Sequence, residues 1–167
     1  MNHPTLKQLS LAIVLGMGAM HGALAATSDD FVDAAAESGI AEVETGKLAL
    51  QKSQSADIKK FAQHMVDEHT KTNQELMGLA KKLDITPPDE AALIDKAKKL
   101  ILDVREESFD KAYVNNQVDA HVKAVELFQT EANSSDKAEL KAFASKTLPH
   151  LQEHLDEAKA LQTKYTK

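Results

Sequence analysis

The sequence predicts an all-α fold: a four-helix bundle with a short connecting helix between its second and third long helices. Three observations carry this. Apolar residues recur at helical spacing from about residue 29 to the end of the chain. Six Gly and four Pro in 167 residues are too few for the many turns of an all-β fold. Two polar breaks, Ser53-Gln54-Ser55 and Asn133-Ser134-Ser135, cut the pattern into long segments.

The first long helix is expected from Asp29 to Lys52, with Ser28 as its N-cap and two acids facing the positive end of the dipole. The second runs from Ala56 to Leu83. Its stripe is Ile58, Ala62, Met65, His69, Leu76, Ala80 and Leu83, in steps of three, four and seven that share one face. Pro87 and Pro88 end it, because a proline disfavours helix in the residue before it. Pro88 to Glu107 reads as the connecting helix. Ser108 would cap the third long helix, Phe109 to Ala132, whose stripe is Val114, Val118, His121, Val125, Phe128 and Ala132. The fourth, Asp136 to Tyr165, carries Leu140, Ala144, Thr147, Leu151, His154, Ala158 and Leu161. Pro149 lacks the N–H that the helix ladder needs, so a kink or a restart is expected there. Short breaks after the first and third long helices make those neighbours antiparallel. The longer middle connection leaves an up-and-down path and a crossover both open.

The N-terminus has the pattern of a secretory signal peptide. Lys7 is the positive residue, Leu9 to Met20 the apolar stretch, and Ala23-Leu24-Ala25 the small-x-small cleavage site, with the cut before Ala26. The expected division is residues 1–25 as signal and 26–167 as one helical domain, located in the periplasm. The apolar stretch is short for a membrane span. No Cys is present, so neither a lipidated cysteine nor a disulfide is available and stability must come from packing. Cleavage removes Lys7 and no acid, which takes the formal charge from −6 to −7. An acidic surface disfavours nucleic acid and anionic lipid. The expected partner is therefore an envelope protein or a second copy of the chain, with no stable membrane insertion after cleavage.

Polar residues on the apolar stripes are the candidates for function. His69, His121 and His154 each lie on the inward face of a different long helix, and Glu42 shares a face with Phe31, Ala35, Ser38 and Ala49 on the first. Counted from the breaks at 1.5 Å per residue, Glu42, His69 and His121 lie at about 17, 20 and 18 Å, near mid-height. On the fourth helix His154 faces inward better at about 27 Å, while His150 matches the level better at about 21 Å. Imidazole and carboxylate on facing helices suit a divalent metal such as zinc, copper or iron. The competing expectation is that these are core histidines, each bonded to a carboxylate such as Glu42 or Asp119. His64, five residues before His69, points elsewhere on the helix and is expected at the surface.

Enzymatic chemistry finds little support. A di-iron centre of the bundle type needs two Glu-x-x-His pairs, and the residue three before each histidine of the helices is Phe61, Val66, Val118, Thr147 or Leu151. No Gly-rich phosphate loop or nucleophile elbow is present. The expectation is a non-enzymatic protein.

Several segments resemble a bacterial family. Asp30-Phe31-Val32, Glu42-Val43, Gly46-Lys47-Leu48-Ala49 and Met65-Val66-Asp67-Glu68-His69 are similar to its N-terminal half. Phe109 to Val114, His121, Leu148-Pro149 and His154-Leu155 are similar to its C-terminal half. The family is the one called domain of unknown function 4142, whose members are often labelled exported or outer-membrane proteins. The resemblance implies a ferritin-like bundle and export, and no particular activity. Its pattern matches His69, His121 and His154, which favours His154 over His150. An outer-membrane location has no support in the sequence, which has neither alternating β-strands nor a lipidated cysteine.

Overall fold

The computed structural model describes residues 29–101, 109–133 and 137–165. These form five helices and no strands: α1 (Asp30–Lys52), α2 (Ala56–Lys82), α3 (Glu90–Ile101), α4 (Phe109–Asn133) and α5 (Ala138–Tyr165). The expected caps Ser28 and Ser108 lie outside the described residues. Asp29 caps α1 instead: its Oδ1 accepts the Val32 N–H at 3.1 Å, and its Oδ2 holds Lys137 Nζ at 2.7 Å.

The end of α2 is a Schellman turn. Ile85 N–H reaches back to the Ala80 carbonyl at 2.9 Å and Asp84 N–H to that of Lys81 at 3.4 Å. Asp84 takes φ 55°, the left-handed conformation that this turn requires and that a short polar side chain tolerates. Ile85 is then buried against the helix it follows. The connecting helix starts two residues later than Pro88, because Asp89 caps it by accepting the Ala92 N–H at 2.9 Å.

Pro149 does not restart α5, which is one helix from Ala138 to Tyr165. Pro149 and Ser145, whose carbonyl loses its i+4 donor, are both exposed, so water can serve that carbonyl.

Packing follows from two apolar clusters. One joins Phe31 and Val32 from the start of α1, Leu76 and Ala80 from the end of α2, Phe128 from the end of α4, and Leu140 and Phe143 from the start of α5. The other joins Ala49, Ile58, Phe61, Met65, Phe109, Val114 and Ala158, from the opposite ends of the same helices. Helix contacts run α1–α2, α2–α5, α5–α4 and α4–α1, with α3 laid on α1. Starts therefore meet ends at every contact around that ring, and its neighbours are antiparallel. The chain leaves α2 at one end and begins α4 at the other, so the middle connection is a crossover. Where α1 meets α2, a Cβ at Gly46 would lie 2.8 Å from Val66 Cγ2 and 3.0 Å from the Ala62 carbonyl, so only glycine allows this approach. No helix among the described residues is long and apolar enough to cross a membrane.

Candidate metal centre

Between the two apolar clusters lies a polar layer. Its members Glu42, His69, Gln117, His121, Thr147 and His154 are all buried. They come from α1, α2, α4 and α5 because each stands on the apolar stripe of its helix, and the stripe faces inward whatever residue occupies it.

The three histidines converge. Ring centroids are 5.6 Å apart for His69–His121, 5.4 Å for His69–His154 and 5.4 Å for His121–His154. One ring nitrogen from each lies within 4.8 Å of the others. A point at most about 2.8 Å from all three therefore exists, close to the ~2.0–2.1 Å of a zinc–imidazole bond.

Hydrogen bonding fixes which nitrogens carry lone pairs. His121 Nδ1–H donates to the Gln117 carbonyl at 2.9 Å, since a carbonyl only accepts. His154 Nε2–H donates to Glu68 Oε2 at 3.0 Å. In the neutral ring the opposite nitrogen is then an acceptor. Those nitrogens, His121 Nε2 and His154 Nδ1, are buried with no hydrogen-bond partner, and so is His69 Nε2. Each costs about 1–3 kcal/mol if left unsatisfied. One divalent cation would satisfy all three.

Electrostatics favour the neutral form of His69 and His154. Burial pushes His69 well below the usual imidazole range, and the neighbouring rings of His121, His154 and His64 push it further. His154 is drawn down to about 4, by burial first and His121 second, against the opposing pull of Glu68. Neutral imidazole is the form that binds metal.

Glu42 stands apart from the three-His group. Its Oε2 accepts from Gln117 Nε2 at 2.8 Å, and burial raises its carboxyl above the ordinary range against the pull of His121 and Gln117. It reaches the site through Gln117, whose backbone carbonyl holds His121. His150 is 58% exposed and lies 3.6 Å from Glu68 Oε2, outside the group. The inward position on α5 belongs to His154. Asp119, the other carboxylate considered from sequence, is exposed.

Two residues of the site were not legible in the sequence. Glu68, which the sequence singles out only within a family-like segment, joins His154, His64 and His150. Its four-residue step from His64 was the available signal. Gln117 lies one turn before His121 on the same stripe, and polar character at an inward position was its signal. His64 is half-buried rather than on the open surface. Five residues set it about 140° from His69 around α2, but its ring lies 5.1 Å from that of His154, which touches both.

No curated protein and no solved structure matches the chain. Residues 16–161 match the family model described as Domain of unknown function (DUF4142). That match spans most of the sequence, and the chain belongs to this family.

Proposed function

We propose that this chain is an exported, ferritin-like four-helix bundle of the periplasm that holds one divalent transition metal on His69, His121 and His154, as a binding module rather than an enzyme. The observation that carries the reading is the convergence of three buried histidines, one ring nitrogen of each within 4.8 Å of the others, each ring also holding a buried nitrogen with no hydrogen-bond partner. Carboxylate–histidine and carbonyl–histidine bonds behind the ligating atoms are the usual way a metal-binding ring is oriented, and Glu68 and Gln117 supply both. Three imidazoles favour zinc, copper or iron over magnesium or calcium. Bound there, the cation would tie α2, α4 and α5 together. The bundle reading rests on the antiparallel ring α1–α2–α5–α4, and the ferritin-like reading on its single crossover connection.

The test is metal analysis of the untagged protein recovered from the periplasm. The expected result is about one ion per chain, lost in a His69→Ala/His121→Ala variant, with the N-terminus at Ala26. Substoichiometric metal that the double variant retains would sink the reading. A second reading, a metal-free bundle that docks an envelope partner, draws on the bonds that His121 and His154 already make to Gln117 and Glu68. It predicts no metal in either protein.

A further inference from the structure

His154 belongs to two groups of converging ligand atoms. One is the buried set with His69 and His121; the other is His64, Glu68 and His154, whose atoms also lie within 4.8 Å of one another. The two sets differ in access. The buried residues His69, His121 and His154 are 6%, 1% and 2% exposed, whereas the side chains of His64 and Glu68 are 35% and 36% exposed. Beyond them stand Glu157, whose Oε2 is 3.5 Å from His64 Nδ1, and His150, 3.6 Å from Glu68. Donor atoms thus run without a gap from solvent to the buried centre, along the contact of α2 with α5. On the side toward α1, Glu42 and Gln117 are buried and hydrogen-bonded to each other.

We infer that His64, Glu68 and His154 form a second, outer metal site through which the three-His centre is loaded and emptied. The inference rests on the three-His reading above. Two imidazoles and a carboxylate suit the same borderline divalent cations as the inner set. Glu68 and Glu157 place two carboxylates at this mouth beside Lys60 and Lys71, and nearby Lys146 is engaged by Glu75 at 2.8 Å. His154 is the shared ligand: its Nε2 meets Glu68 of the outer group, and its Nδ1 is buried without a partner. At the outer site it ligates through Nε2 and keeps its proton on Nδ1. At the inner site it ligates through Nδ1 and the proton returns to Nε2, where Glu68 accepts it. The ring carries one proton in both states, so transfer inward releases none.

The experiment is rapid-mixing uptake of Zn²⁺ by the full exported protein, followed by its withdrawal to a fluorescent chelator. Two partly exposed substitutions, His64→Ala and Glu157→Gln, are compared with the unchanged protein. The expected result is that uptake slows by about tenfold, the lower end of what a charged mouth adds to an on-rate, and that release slows with it. Exchange at the unchanged rate in both variants overturns the outer site and leaves the three-His reading standing. No uptake by the unchanged protein overturns both.

Discussion

Two polar clusters in this molecule are built on opposite principles. At the start of α2, Asp57 accepts hydrogen bonds from Ser55, Lys164 and Tyr165, and no atom of the Asp57 side chain is buried without a partner. It joins the start of α2 to the end of α5 at the surface. In the polar layer, His69, His121 and His154 are buried and each keeps a ring nitrogen without a partner. A tether satisfies its own groups. Buried groups left without a partner cost stability unless something else satisfies them, as the proposed metal would.

Acid should separate the two clusters most strongly. His154 titrates near 6.5 when unfolded and at about 4 in the fold, so acidification protonates the unfolded chain first. Stability is fully present above the unfolded value and is lost as pH falls from about 6.5 to 4, by as much as ~3 kcal/mol from His154 alone. His69 is shifted in the same direction and adds to the loss. Asp57 is held below the ordinary carboxylate range by Lys164, Ser55 and Tyr165, so its contribution disappears only at lower pH. Urea midpoints measured across pH should show two descents, and a flat profile between pH 6.5 and 4 would break the comparison.

Substitution should then give opposite signs. His69→Leu removes a buried nitrogen without a partner, and the metal-free protein should gain about 1–2 kcal/mol by chemical denaturation. A loss would mean that His69 is satisfied in the fold. Gly46→Ala is a packing control outside both clusters. Crowding against Val66 and the Ala62 carbonyl outweighs the better helix propensity of alanine, for a net loss of about 1 kcal/mol in the same assay. Asp57→Asn should give the smallest change, a slight loss in thermal midpoint, because exposed charge pairs are screened by water.

The same contrast explains what the sequence reveals. Helix identity and the inward histidines follow from the 3.6-residue period, which is local, so α2 and its stripe from Ile58 to Ala80 were readable directly. The start of α1 differs by one residue from the sequence expectation because Ser28 and Asp29 are both good cap residues, and it is Asp29 that accepts the Val32 N–H and holds Lys137. Height along a helix was harder. On α5 the count favoured His150, but the fourth long helix begins at Ala138 rather than Asp136, which lowers His154 toward the level of His69. For Glu68 the helical period gives only its step of four from His64 and not its bond to His154. Its role depends on α5 packing beside α2, a contact between residues 86 positions apart. Ring tautomers likewise depend on the Gln117 carbonyl and the Glu68 carboxylate, which exist as partners only in the fold.

The central claim is that the three unpartnered nitrogens form one metal site. Its most direct test is a calorimetric titration of the purified protein with Zn²⁺, beside the His69→Leu/His121→Leu variant, whose apolar side chains keep the layer filled. The account predicts one ion per chain for the unchanged protein and none at that site for the variant. Equal binding by the two proteins, or no binding by the unchanged one, would contradict it.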